Sequence, residues 1–375
     1  MKFRRDTKSA TADTLVPVTD IDLKALAEVQ DDTDTVLSVY TTANKRDISF
    51  VNSRLKLIGK ALPESLLEPF AEALKLAESA LSDGAVKGEK GRAIFASASQ
   101  DFLQMYRLGL DVEPLVVWDR SPFLLPLAKL SNDYADYWLL LVDSQEARLF
   151  LVRSNIIVET GKASIDLMNK HKKGGWSQMR FNRLRKGAIK SFLKEVVGDL
   201  QGLVDTAMIR GIVIAGPGYA KDQLIQMLPP SLNSKLLGTL DLSMSTLPSE
   251  LVGLGGNMAQ QDSSGKAVAA ELKAAILKGM PVAYGSEEVR MALEQGRVKT
   301  LVLNNFQIPG MVCQSCRLIP EIQQSSCPSC GGHMSEENIA AHFYELAQRT
   351  GAHVALVKDD AFLESIGGMG AMLRY

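Results

Sequence analysis

The sequence predicts an α/β protein of three domains, with mixed sheets under helical cover and a zinc-ribbon insert in the third domain. Three observations predict it. Short apolar runs alternate with stretches of helical period, four cysteines share one 18-residue stretch, and the charge character changes abruptly near the middle of the chain. At 375 residues the chain exceeds one ordinary core and suits two or three. Apolar residues at 46% and charged residues at 23% sit near soluble-protein averages, which excludes wholesale disorder. With 42 basic and 43 acidic residues the net charge is -1, so any nucleic-acid contact must be local.

Residues 1–30 show no sustained apolar period before Asp20-Ile-Asp-Leu-Lys-Ala-Leu-Ala, which reads as a mobile tail leading into a short helix. The N-terminus lacks the apolar core of a signal peptide, and no run is long enough to span a bilayer, so a cytoplasmic protein is expected. Residues 31–131 form a first α/β domain: Val36-Leu-Ser-Val-Tyr is a buried strand, and Ser49 to Leu81 repeats apolar residues at helical spacing with breaks at Pro63 and Pro69. Gly91-Arg-Ala-Ile-Phe-Ala-Ser and Pro114-Leu-Val-Val-Trp add strands. Residues 132–265 form a middle domain that opens on the hairpin Tyr137-Trp-Leu-Leu-Leu-Val-Asp and Glu146-Ala-Arg-Leu-Phe-Leu-Val. Its later strand, Arg210-Gly-Ile-Val-Ile-Ala-Gly-Pro-Gly, ends in glycines; no Gly-Lys-Ser/Thr follows, so this is a turn and not a phosphate loop. Polar sequence from Gly253 to Gly265 marks the boundary to a third domain, 266–375. That domain reads as helices at Glu271–Lys278 and Ser286–Gln295, the strand Lys299-Thr-Leu-Val-Leu, the cysteine insert at 311–334, a helix from Glu336 and the strand His353-Val-Ala-Leu-Val.

Cys313-x2-Cys316, ten intervening residues and Cys327-x2-Cys330 make two knuckles whose thiolates can converge on one tetrahedral ion, with zinc–sulfur distances of about 2.3 Å. Structural Zn2+ is the preferred reading; a rubredoxin-like iron site and a redox dithiol share the ligand types. With cysteine at all four positions no site remains for water, so the metal holds a loop and does no chemistry. His333 is a conceivable substitute ligand, though an exposed loop histidine is the plainer reading.

From Leu167 to Lys194 there is no acidic residue, while Lys170, Lys172, Lys173, Arg180, Arg183, Arg185, Lys186, Lys190 and Lys194 crowd the window. Within it lies His171-Lys-Lys-Gly-Gly-Trp-Ser-Gln, in which Gly174 and Gly175 permit backbone conformations closed to other residues. Phe181, Leu184, Ala188 and Phe192 keep an apolar stripe beside the basic face, so a basic amphipathic helix follows the loop. A flexible tip on a cationic stem suits threading among phosphates; a solvated basic helix after a glycine turn has the same sequence.

This window resembles the class-1 release factors of archaea and eukaryotes, which carry a Gly-Gly-Gln loop followed by a Ser-x-x-Arg-Phe-x-Arg-Leu-Arg helix start. Ser177, Arg180, Phe181, Arg183, Leu184 and Arg185 match that start. Val36-Leu-Ser-Val-Tyr, Ile212-Val-Ile-Ala-Gly, Tyr284-Gly with Leu293-Glu-Gln-Gly-Arg-Val, and Gly367-Gly-Met-Gly-Ala-Met-Leu-Arg-Tyr extend the resemblance over residues 31–375. The chain is similar to a divergent member of the release factor and Pelota superfamily, of the Balon-like or rescue-factor-like kind. Two departures stand out. Trp176 occupies the place of the family's glutamine, with Gln178 two residues later, and no Asn-Ile-Lys-Ser segment of the stop-codon readers is present in the first domain.

The resemblance implies a ribosome A-site factor of idle or stalled ribosomes, used in hibernation or rescue. It would touch rRNA of the A site and the peptidyl-transferase centre through Lys172, Lys173, Trp176, Arg180, Arg183, Arg185 and Lys186. It further implies an elongation factor-type GTPase as a partner chain, no membrane, and a monomer off the ribosome. The alternative is a codon-independent peptidyl-tRNA hydrolase with Gly174, Gly175 and Gln178 at its catalytic site. An unrelated nuclease-like reading lacks any carboxylate cluster near the loop.

Overall fold

The computed structural model describes residues 4–6, 15–42, 44–165, 176–204, 209–259, 264–305, 307–320 and 324–375. They fall into two compact units, one within Met1–Thr19, Val86–Gly88 and Tyr134–Gln260, the other within Asp20–Ala85, Glu89–Asp133 and Gln261–Tyr375.

After β1 (Arg4–Asp6) comes α1 (Leu23–Glu28), started by Asp22, whose carboxylate accepts the Ala25 N–H at 2.9 Å. The short helix expected after the tail is thus present, and among the described residues before and within it Leu15, Val18, Ile21, Leu26 and Ala27 are buried. These apolar residues are too widely spaced to show a period; the Val18 N–H donates to Ser154 Oγ at 2.9 Å.

The next elements are β2 (Val36–Thr41), α2 (Lys45–Ala61), α3 (Glu64–Ser82), β3 (Gly91–Ser97), β4 (Phe102–Leu108), β5 (Leu115–Asp119) and α4 (Leu125–Asp133). The sheet runs β4-β3-β2-β5 and is antiparallel throughout, unlike the mixed sheets expected. The two inner strands, β2 and β3, are buried along their whole length. Successive side chains point to opposite faces. Leu37, Val39, Ile94 and Ala96 meet Val51, Leu55, Phe70, Ala73 and Ala77 of α2 and α3, while Tyr40 and Phe95 pack edge to face with centroids 5.9 Å apart. Pro63 precedes α3 as expected, but Pro69 lies inside it and does not break it. The lost N–H removes one bond, to the Ser65 carbonyl, and the buried stripe of Phe70, Ala73, Ala77 and Ala80 keeps the helix in place.

The other unit carries β6 (Tyr137–Val142), β7 (Glu146–Arg153), β8 (Ile156–Ser164), α5 (Trp176–Val204), β9 (Gly211–Ala215), α6 (Gly218–Gln226), α7 (Pro230–Asn233), β10 (Leu236–Leu240) and α8 (Pro248–Ala259). Its sheet has the order β1-β8-β7-β6-β9-β10. The β6–β9 and β9–β10 pairs are parallel and the rest antiparallel, with β6–β7 the expected hairpin. Trp138, Leu140 and Val142 face α5, and Tyr137, Leu139 and Leu141 face α8. A Cβ on Gly255 would lie 2.9 Å from Leu139 Cδ1 and from Tyr137 Oη, so this glycine lets α8 seat closely on the sheet. Its residues were expected to start a boundary, because glycine in a polar stretch reads as a loop.

The chain ends with α9 (Ser264–Leu277), β11 (Val282–Tyr284), α10 (Ser286–Glu294), β12 (Val298–Asn304), β13 (Pro309–Cys313), β14 (Met334–Asn338), α11 (Ile339–Arg349), β15 (His353–Val357), α12 (Ala361–Ser365) and β16 (Met369–Leu373). The mixed sheet β11-β16-β12-β15 has one parallel pair, β12 with β15. Strands β13 and β14 form a separate antiparallel ribbon that sets Cys313 opposite Met334. Glu336, expected to start a helix, lies in β14; α11 begins at Ile339 because Asn338 accepts the Ala340 N–H at 3.2 Å. Among the described residues no helix is long and apolar enough to cross a membrane.

Candidate functional site

Helix α5 is 29 residues long, about 43 Å at 1.5 Å per residue. Its C-terminal half is seated: Phe192, Leu193, Val196, Val197, Leu200 and Leu203 pack against Trp138, Leu140, Ile212 and Ile214. Before Phe192 no described residue of the helix is buried. Met179 is 55% exposed and Leu184 55%, so the expected apolar stripe is buried only at Phe192. Ile189 still packs against the edge of this core, and from Met179 to Ala188, about 15 Å of helix, no residue is buried.

Arg180, Arg183, Lys186, Lys190 and Lys194 are exposed along this helix and Arg185 is half-buried. Lys172, Lys173, Gly174 and Gly175 lie outside the described residues. Trp176 and Gln178 are described for their backbone alone, in the first turn of α5. The arrangement can present a row of cations to a phosphate backbone.

In the other unit, the four cysteine sulfurs lie within 4.8 Å of one another. Cys313 Sγ is 3.5 Å from Cys330 Sγ, and Cys316 Sγ is 3.5 Å from Cys327 Sγ. Tetrahedral coordination at about 2.3 Å per ligand sets sulfurs roughly 3.8 Å apart, so the donor set fits one ion. Each knuckle turns an amide toward a sulfur: Cys316 N–H toward Cys313 Sγ and Ser329 N–H toward Cys327 Sγ, both at 3.4 Å. The Cys316 amide holds the Cys313 thiol down to about 6, in favour of thiolate. Gly331 has φ +73°, and a Cβ on Gly332 would come 2.7 Å from Ser315 Oγ and 3.2 Å from Cys313 Sγ. His333 is exposed and stands outside the cluster.

Sequence reasoning missed the residues around this cluster. Glu337 accepts from His342 Nε2 at 3.1 Å and from Gln314 Nε2 at 2.5 Å, and pairs with Arg317 at 3.3 Å. Burial opposes its charge, but His342, Arg317 and Gln314 outweigh burial and hold the carboxyl at about 2. A folded-state value below the usual 4.5 means stability that is complete above about pH 5 and lost as pH falls toward 2. Glu337→Gln is therefore expected to lower the melting temperature at pH 7, with the gap to the parent closing as pH falls from about 5 toward 2. A gap independent of pH would contradict the assignment. No spacing signal announces these residues, since each is an ordinary polar residue until the fold assembles them.

Residues 136–249 match the family model described as eRF1 domain 2. The chain is 28% identical over 299 residues to peptide chain release factor subunit 1-1 of Methanosarcina acetivorans, covering 70% of this chain and 72% of that protein. It is 27% identical over 360 residues to peptide chain release factor subunit 1 of Methanocaldococcus jannaschii, covering 83% of each. Similar solved structures include the archaeal translation termination factor aRF1, at 17% identity and TM-score 0.28 over 97% of this chain and 99% of that one. Archaeoglobus fulgidus Pelota is similar at 14% identity and TM-score 0.39 over 96% and 94%.

Proposed function

Because the chain belongs to the class-1 release factor and Pelota superfamily, we propose that it is a translation factor that occupies the A site of idle or stalled ribosomes, in hibernation or rescue, without reading stop codons. The observation that carries this reading is the exposed cationic half of α5, inside the segment that matches eRF1 domain 2. Such an arm reaches rRNA phosphates while the seated half anchors it. In this reading the chain works as three domains, 31–131 toward the decoding site, 132–265 toward the peptidyl-transferase centre and 266–375 carrying the insert. The GTPase that accompanies it is a separate chain, the factor itself is a monomer off the ribosome, and its place is the cytoplasm.

Trp176 decides between binding and hydrolysis. It follows the glycine pair directly, whereas Gln178 comes two residues later, and a misplacement of about 1 Å in a positioning group costs on the order of 10²-fold in rate. We assign Trp176 to stacking on a base, worth about 1–3 kcal/mol. A release assay on peptidyl-tRNA held in the P site checks this: binding without release is expected, for the parent and for Gln178→Ala alike. Release that disappears in Gln178→Ala would replace this reading with the hydrolase.

The four cysteines fit structural zinc, with all positions filled by sulfur and none left for water. Zinc would be held by Cys313, Cys316, Cys327 and Cys330 and would fix the ends of the insert; metal analysis finding iron would transfer the site to the rubredoxin class.

A further inference from the structure

We propose that metal binding at the four cysteines positions Arg317 as an ionic bridge between the β14–α11 corner and the sheet of β2–β5, so that loading the metal locks these two parts of one unit together. The inference rests on the metal reading above.

A cleft of about 310 Å³ separates the parts. Its walls are acidic on both sides: Asp34 and Asp119 come from the ends of the β2–β5 sheet, Glu337 and Glu345 from β14 and α11. Left alone these walls repel, and burial together with Asp119 already pushes the Asp34 carboxyl above its ordinary range. Arg317 supplies positive charge between them. Its guanidinium pairs with Asp119, lies 3.5 Å from Asp34 and reaches Glu337 at 3.3 Å. From the opposite wall Arg120 donates to the Ser315 carbonyl at 3.3 Å and lies 3.6 Å from Asp34. These two crossing contacts end on the first knuckle, and a hydrogen bond between Glu345 and Ser121 joins α11 to the opposite wall directly.

The knuckle fixes where that guanidinium starts. Arg317 immediately follows the ligand Cys316 and has φ +58°, a conformation that side chains other than glycine rarely hold without support. Support comes from the turn, with the Arg317 N–H on the Cys313 carbonyl at 2.9 Å and the Cys313 N–H on the Leu318 carbonyl at 3.0 Å. An ion that ties Cys313 and Cys316 to the second knuckle holds this turn closed. Without it, the turn is free to open, the fork leaves its three carboxylates, and the acidic walls lose a cation that pairs with both of them.

Hydrogen exchange of the full chain, with zinc and after chelation, tests the bridge. The reporters are segments 31–35 and 115–121, whose ends are joined by Asp31 N–H to the Arg120 carbonyl and Thr35 N–H to the Asp119 carbonyl. Chelation is expected to speed their exchange about tenfold. Arg317→Ala with zinc bound should produce most of that change, and chelating that variant should add only a small further increment, because the Arg120–Ser315 contact is what the knuckle then still holds across the cleft. If chelation leaves these segments unchanged, or if it speeds exchange in Arg317→Ala by the full parental increment, the bridge is refuted. Should Arg317→Ala not fold, Asp119→Asn removes the facing charge while leaving the knuckle intact, and the same two comparisons apply. Zinc content measured on each sample separates failure of the bridge from failure of the metal site.

Discussion

Cys313→Ser with Cys327→Ser is expected to abolish metal retention and unfold the β13–β14 insert. Both residues are buried, at 0% and 4% exposure, and they belong to different knuckles. Beyond the ribbon's own ladder and the polar contacts of Glu337, the insert has little apolar core. Its apolar cluster is small, Cys313, Cys327 and Met334 with Met311 and Leu318 against it, whereas structural zinc supplies about 10–16 kcal/mol to small zinc-finger peptides. The measurement is zinc per chain together with amide exchange. The parent should retain one zinc and slow amides along β13 and β14; the variant should retain none and exchange these amides freely, while β6 and β9 in the other unit stay protected. Unchanged protection of β13 and β14 would show that the ribbon stands without metal.

Neutralising Arg180, Arg183, Lys186 and Lys190 to glutamine is expected to cost on the order of 10²-fold in ribosome affinity. These side chains are exposed, and surface substitutions of this kind usually change stability by no more than about 0.5 kcal/mol, so the loss reports contact and not folding. Four fewer phosphate contacts lower the slope of log affinity against log salt by about 3.6, or about 150-fold between 50 and 200 mM salt. Sedimentation with ribosomes across that range checks it. A variant with the parent's slope would remove α5 from the interface.

The strands that bury both faces were the legible part of the fold. Val36-Leu-Ser-Val-Tyr and Tyr137-Trp-Leu-Leu-Leu-Val announce themselves as continuous apolar runs, and both are fully buried. Edge strand β4 hides its identity because Leu103 and Gln104, on opposite faces, are both exposed, and β14 hides because Ser335, Glu336 and Glu337 alternate poorly. Helix α8 was obscured by Gly253, Gly255 and Gly256, which sit within the helix and not in a turn, Gly255 being the one that close packing requires. In the candidate sites, the cysteine ligands follow from spacing alone, because a knuckle is a local geometry. The exposure of Phe181 and Leu184 does not, since helical period shows which residues share a face but not how far the supporting sheet extends. Arg317 was equally hidden, for its partners Asp34 and Asp119 stand 283 and 198 positions away.

Electron cryomicroscopy of the protein bound to vacant ribosomes tests the proposed function most directly. The account expects the factor in the A site without a stop codon, with the Trp176 end of α5 at the peptidyl-transferase centre, Arg180 and Arg183 against rRNA phosphates, and residues 31–131 at the decoding site. A factor found elsewhere on the particle, or one that enters the A site only when a stop codon is present, would contradict it.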